Sequence, residues 1–109
     1  MERVGFLLQV KEGRQSEYLQ AHEPGVIWPS IVESCRRAGM RNYSGWLGGE
    51  GMRQVFGYFE TKDLQASLLS LTSDPDNLEW QRHMAPLMEH SGEGNGESMK
   101  LLRPAFYLP

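Results

Sequence analysis

Cysteine, histidine and basic charge are scarce in this chain, and each shortage argues against a class of function. The 109 residues include one cysteine and three histidines. The lone Cys35 has no partner for an internal disulfide or a shared metal ion. Eleven basic residues against fourteen acidic ones give a net charge of −3, and the basic residues are scattered. The chain therefore lacks the basic patch that binds nucleic acid or an anionic membrane.

Long apolar runs and familiar cofactor motifs are also missing. No window approaches the ~18 uninterrupted apolar residues that cross a bilayer, and the N-terminus has no secretory signal. We therefore expect a cytoplasmic protein. The chain contains no P-loop, GxGxxG, CxxC or nucleophile motif, which argues against phosphate and dinucleotide sites. No two of His22, His83 and His90 have the i, i+4 spacing of a helical metal site, so no metal is predicted.

The regular part of the sequence begins with a strand and a helix. The composition is 39% hydrophobic and 23% charged, which is ordinary for a globular protein, and the length suits a single domain over residues 1–109. Near the N-terminus, apolar residues alternate with the period of a strand that buries one face. They are Val4, Phe6, Leu8 and Val10. Residues 14–22 then favour a helix, which the Glu-Pro-Gly segment 23–25 ends.

A second helix and a hairpin follow. Trp28-Pro29 places a proline in the first helical turn, where it is well tolerated, and Gly39 marks the end of this helix. The inward stripe of the helix is predicted from its spacing to be Ile31, Val32, Cys35 and Ala38. Residues 40–47 and 52–59 are rich in β-forming side chains, and the glycine-rich segment 48–51 joins them as a hairpin.

Two more helices and a last strand complete the pattern. Thr61 is placed to cap the first of these helices, and segment 73–75 begins the second. The small polar residues of 91–97 are typical of a loop, and 99–108 is predicted to be the last strand. This order matches the βαββαβ ferredoxin-like motif, an α+β fold with one antiparallel sheet.

One face of such a sheet has no helices to cover it. The sequence places apolar or aromatic residues on that face, which we predict to include Leu7, Tyr43 and Val55, and an uncovered apolar face is costly in water. Two sheets paired face to face about a two-fold axis would cover each other. We therefore expect a homodimer with the architecture of a dimeric α+β barrel.

Tyr18 and His22 are the first candidates for chemistry. They lie four residues apart on the predicted first helix, so their side chains share one face and can act on a common ligand. The negative end of the helix dipole favours an imidazolium at His22, which suits a general acid. The alternative is that His22 only caps the carbonyl groups at the helix end.

Trp80, Gln81 and Tyr43 are the candidates for binding. At Trp80, a core position is the default interpretation, but an indole also offers a flat apolar face to the C–H side of a sugar. Gln81 beside it can hydrogen-bond hydroxyl groups. Tyr43 points away from Asn42 and Ser44 on its strand, and it belongs either to the core or to a pocket.

Several short segments together resemble the L-rhamnose mutarotase family in order and approximate spacing, over nearly the whole chain. They are Arg3-Val4 with Phe6, the run 17–22 (EYLQAH), Trp28-Pro29, Asn42-Tyr43-Ser44, the run 57–61 (GYFET), Trp80-Gln81 and the closing FYLP of 106–109. The resemblance implies a dimeric ferredoxin-like barrel with a cofactor-free site in each subunit. It also implies interconversion of the α and β anomers of L-rhamnose or a similar aldopyranose.

Carried over by position, the resemblance assigns a role to five residues. His22 matches the family's proton donor, and the substrate contacts match Tyr18, Tyr43, Trp80 and Gln81. Two departures concern the sugar: the segment between His22 and Trp28 is about two residues longer than expected, and Gln81 stands where some members have a second tryptophan. Two alternatives remain at this point, a cofactor-free monooxygenase on the same fold and a module that only binds a small ligand.

Overall fold

Four strands, four α-helices and two short 3-10 helices form the described part of the protein, whose computed structural model covers residues 1–89 and 99–109. The strands pair antiparallel in the order β2-β3-β1-β4. They are β1 (Glu2–Gln9), β2 (Arg41–Gly48), β3 (Gln54–Thr61) and β4 (Lys100–Leu101). The helices are α1 (Gln15–Ala21), α2 (Pro29–Arg37), α3 (Leu64–Ser73) and α4 (Pro75–Met84). The order of strands and helices confirms the predicted ferredoxin-like α+β class.

The alternating residues of β1 build the core. Val4 and Phe6 of β1 are buried, as is Val10 directly after the strand, and Leu8 is partly buried, as the period-2 pattern predicted. Val4 lies opposite Phe59 and Phe6 lies opposite Gly57 in the antiparallel pairing with β3. The buried side chains form two apolar clusters, and Leu8 of β1 packs against both of them.

The face of the sheet opposite the helices carries a row of large apolar side chains. Trp46 pairs with Phe56, and Phe56 pairs with Leu7, so one residue from each of three adjacent strands forms the row. Trp46 is 61% exposed and Phe56 is 39% exposed. We call this the open-face row.

Two residues predicted for the open face lie on the helix side instead. Val55 is buried in the core because it pairs with Leu8, on the inward side of the sheet. Tyr43 packs on Phe6 and Phe59, because it alternates along β2 with Gly45 and Leu47, which pair with Gly57 and Val55 on the inward side. The expected apolar open face is present, but only Leu7 of the three predicted residues belongs to it.

The two later helices begin at aspartates. Asp63 caps α3 by accepting a hydrogen bond from the Ala66 amide, and Asp74 caps α4. Thr61, which we predicted as the cap of α3, ends β3 and is buried. Its hydroxyl lies 2.6 Å from that of Ser67, which donates to the Ala38 carbonyl. Thr61 therefore ties the sheet to the helices and does not cap one.

Helix α2 and the last strand also differ from the prediction. Ser34, at i+3 from Ile31, takes the buried inner position that we gave to Val32, and its hydroxyl donates to the Ser30 carbonyl. Strand β4 has two residues where ten were expected. After the Leu102 amide has bonded to the Gly5 carbonyl, Pro104 has no N–H to extend the ladder.

Two features named from the sequence lie between residues 90 and 98. His90 and the glycine-rich loop 91–97 lie outside the described residues. Within 1–89 and 99–109, no helix is both long and apolar enough to span a membrane.

Candidate functional site

A cavity of about 800 Å³ lies between the helix side of the sheet and the helices. Its size is within the range of small-molecule sites. Its wall includes all five residues that the sequence singled out, namely Tyr18, His22, Tyr43, Trp80 and Gln81. The structure thus brings together side chains from α1, α4 and β2 that lie up to 63 positions apart in the sequence.

Tyr18 and His22 lie side by side in the wall of the cavity. Their rings lie 4.5 Å apart between centroids, because four residues along α1 bring them one above the other. His22 is the residue that ends α1, and its Nδ1 lies 2.8 Å from the Tyr18 carbonyl oxygen. A carbonyl only accepts, so Nδ1 carries the proton and Nε2 of the neutral ring carries the lone pair. The capping contact therefore leaves Nε2 available for a ligand.

Tyr18 is much less accessible than His22. The His22 side chain is exposed, whereas burial raises the pKa of Tyr18 to about 12. The phenol is neutral across the physiological range, so it can donate one hydrogen bond to a ligand oxygen and is a poor base.

Trp80 is both a core residue and a wall of the cavity. It is only 6% exposed. Its indole meets the His22 ring edge to face at 5.5 Å and the Trp28 ring at 5.2 Å. Trp80 therefore has the core position that the sequence favoured and also lines the cavity, whereas its contact with a sugar stays a prediction. Trp28 also stacks on His83 at 4.6 Å, and His83 is not among the lining residues of the cavity.

Asn77 is a residue that the sequence prediction missed. It is 3% exposed and lines the cavity. Its Nδ2 donates to the Leu71 carbonyl at 3.0 Å, which leaves Oδ1 to accept from Gln81 Nε2 at 3.4 Å. Gln81 then has its carbonyl oxygen free for a ligand hydroxyl. The signal in the sequence was the i, i+4 spacing of two amides on α4.

Tyr43 reaches the cavity from the sheet. Its ring stacks on Phe59 at 5.5 Å with an angle of 14°, and meets the edge of Phe6 at 5.8 Å. The sequence left Tyr43 between core and pocket, and the structure places it at the pocket, since it lines the cavity and is 47% exposed.

The rest of the wall is mostly apolar. Methionine side chains are prominent in it, namely Met40, Met84, Met88 and Met99. Among the described residues, the charged side chains that line the cavity are Arg36 and Arg41, and no carboxylate lines it. Arg36 forms an ion pair with Glu33. Nowhere in the described part of the chain do three His, Cys, Asp or Glu side chains gather as metal ligands would.

Known proteins resemble this chain along nearly its whole length. The model of a family described as L-rhamnose mutarotase matches residues 3–108. An L-rhamnose mutarotase from Opitutus terrae is 32% identical over 108 residues, covering 99% of each chain.

Two solved structures share the fold. The crystal structure of an L-rhamnose mutarotase from Formosa agariphila superposes with a TM-score of 0.82, at 19% identity and with all of both chains covered. An uncharacterized NIPSNAP domain protein from Burkholderia xenovorans superposes with a TM-score of 0.63, also at 19% identity, covering 100% of this chain and 99% of the other.

Proposed function

Because the chain belongs to the L-rhamnose mutarotase family, we propose that it interconverts the α and β anomers of L-rhamnose by acid and base catalysis. The observation that carries the mechanism is the position of His22, whose Nδ1 is held by the Tyr18 carbonyl while its ring lines the cavity. Family membership favours this activity over the monooxygenase and ligand-binding alternatives.

The reaction needs only proton transfers. The anomeric hydroxyl loses its proton and the ring oxygen gains one as the bond between C1 and the ring oxygen breaks. The open aldehyde rotates, and closure in the reverse sense on its other face gives the second anomer. No electrons are exchanged with another molecule, so two proton-transfer groups suffice.

We assign the proton at the ring oxygen to His22. The imidazolium donates from Nε2 to the ring oxygen, and the anomeric proton passes to water, which reaches this exposed side chain. Histidine suits the task because its ordinary pKa lies near neutral pH. Tyr18, one helical turn away, orients an adjacent sugar oxygen with its neutral hydroxyl.

The other lining residues account for binding. Trp80 and Tyr43 offer ring faces to the C–H side of the pyranose, and the free carbonyl of Gln81 accepts from a hydroxyl. The methionines of the wall give the methyl group of a 6-deoxy sugar an apolar environment.

Replacement of His22 tests the mechanism. His22→Ala is expected to slow anomer exchange, measured by saturation-transfer NMR, by about 10²–10⁴-fold, the usual contribution of a general acid or base. His83→Ala is the matched control, because this second histidine lies near Trp80 but does not line the cavity. Near-normal exchange by a folded His22→Ala protein would refute the assignment.

We also propose that two copies pair through the open-face row. Trp46 and Phe56 expose apolar surface there. Tyr107 of the C-terminal segment is exposed as well, and its ring lies 4.0 Å from the guanidinium carbon of Arg3 in β1. A two-fold dimer would bury the same patch on both subunits. Cytoplasmic location stays a prediction.

Sedimentation tests the dimer. The native protein is expected to sediment as a dimer at micromolar concentration, and Trp46→Glu is expected to sediment as a monomer because it places a charge in the row. Exchange of Glu12, an exposed residue away from the strands, for lysine serves as the control for a change in surface charge. A stable monomer of the native protein would contradict the proposal.

A further inference from the structure

A bulge in β2 lies beside Tyr43. Arg41 pairs with Glu60 and Ser44 pairs with Tyr58, so three steps along β2 match two steps along β3. Side chains alternate along a regular strand, so Tyr43 lies on the inward side with Gly45 and Leu47, which pair with Gly57 and Val55. The extra residue is next to Tyr43, where the irregular backbone sets how the ring meets the cavity.

Asn42 supplies the backbone conformation of the bulge. Its φ is 52°, in the left-handed region that asparagine tolerates better than most residues. The Ser44 hydroxyl donates to the Asn42 carbonyl at 2.9 Å, and the Asn42 Nδ2 donates to Glu60 Oε1 at 2.9 Å. One side-chain contact thus crosses to the neighbouring strand.

Glu60 is held in place on its other side as well. Its second oxygen accepts a hydrogen bond from the Tyr58 hydroxyl at 2.7 Å. The hydrogen bonds from Tyr58 and then Asn42 lower the pKa of the Glu60 carboxyl, so it is ionised at neutral pH. A carboxylate fixed at one oxygen is a firm acceptor for the Asn42 amide at the other.

We propose that Glu60 is a positioning residue for the sugar site, acting from the opposite face of the sheet. Its carboxylate holds Asn42 in the left-handed conformation, and the bulge then sets the Tyr43 ring against the sugar. The inference rests on the proposed function, since Tyr43 is taken there as a substrate contact. It predicts that Glu60 affects binding of the sugar and leaves the proton transfer at His22 intact.

The test is a set of substitutions at Glu60 and Asn42, read by saturation-transfer NMR over a range of L-rhamnose concentrations. Glu60→Ala is expected to raise KM about tenfold with kcat within a factor of about three, because a hydrogen bond to a charged group is lost and only binding suffers. Glu60→Gln retains an acceptor for Asn42 and is expected to restore KM. Glu12→Ala, which removes an exposed carboxylate elsewhere, is expected to leave KM unchanged.

Substitutions at Asn42 distinguish a positioning role of Glu60 from a general effect of Glu60 on stability. Glycine adopts a positive φ without strain, so Asn42→Gly keeps the bulge without the help of Glu60. Adding Glu60→Ala to Asn42→Gly is then expected to change KM less than twofold. A β-branched residue is strained at this φ, so Asn42→Val is expected to raise KM as Glu60→Ala does.

An NMR readout without substrate keeps the two proposals distinguishable. Cross-relaxation between the Tyr43 and Phe59 rings reports their stacking and is expected to weaken in Glu60→Ala and recover in Glu60→Gln. Absence of anomer exchange in the native protein would overturn the proposed function but not this result. Unchanged KM and unchanged ring contacts in Glu60→Ala, or the same rise in KM in the Asn42→Gly background, would overturn the role of Glu60.

Discussion

Replacing Gly57 with alanine tests how closely the Phe6 ring packs against the backbone of β3. Gly57 is buried and lies opposite Phe6 in the pairing of β1 with β3. A methyl group at this position would overlap Cζ and both Cε atoms of the ring. The ring or the strands must therefore move before Gly57→Ala can fold.

The expected loss of stability is moderate. Overpacking of this kind costs about 1–3 kcal/mol, and the better conformational entropy of alanine in a strand offsets roughly 0.5–1 kcal/mol of it. We expect a net loss of about 1–2 kcal/mol, equivalent to a fall of roughly 4–8 °C in Tm for a domain of this size. Because Phe6 packs against Tyr43, displacement of the ring is also expected to raise KM.

Thermal unfolding in two backgrounds measures the clash. Leucine has no atoms where the far edge of the Phe6 ring lies, so Gly57→Ala is expected to cost nothing in a Phe6→Leu background. Gly45→Ala on the adjacent strand is the matched control, since its methyl group would meet Val55 at an ordinary 3.6 Å. Equal losses in both backgrounds, or a native Tm for Gly57→Ala, would show that the packing argument is incorrect.

Three further predictions concern stability. Folding raises the pKa of Tyr18 from an unfolded value of about 10 to about 12. The unfolded chain then releases a proton that the folded one keeps, so stability should fall by about 2–3 kcal/mol between pH 10 and 12, and Tyr18→Phe should lack this fall in urea titrations. Asp63→Ala removes the cap of α3 and should cost about 1 kcal/mol in the same assay, while Asp63→Ser should cost little. The hydrogen bond from Arg37 lowers the pKa of Asp74, so its contribution is present above the ordinary carboxyl pKa and is lost as pH falls; Asp74→Asn should show a weaker loss of stability on acidification.

Local sequence patterns predicted most of the fold. The alternation along β1 predicted the buried Val4 and Phe6, and Trp28-Pro29 marked the start of α2. These features depend on residues close together in the chain, which is why periodicity reveals them. The family-specific segments also named side chains that the structure brings to one cavity, although their roles stay predictions.

Features that depend on distant contacts were missed. The bulge beside Tyr43 includes a contact between Asn42 and Glu60, eighteen positions apart, and no local spacing predicts it. Thr61 resembled a helix cap, but its buried bond to Ser67 competes for the hydroxyl. Val55 was assigned to the wrong face because alternation gives the period of a strand and not the side on which its neighbours lie.

Trp80 belongs both to the core and to the wall of the cavity, and this limits how the sugar preference of such a protein can change. Any exchange of this indole that suits a different pyranose also disturbs packing against Trp28, so selection for folding opposes it. Gln81 is only half-buried, and its hydrogen bond to Asn77 is long. New specificities should therefore arise first at Gln81, where an altered side chain costs the fold least.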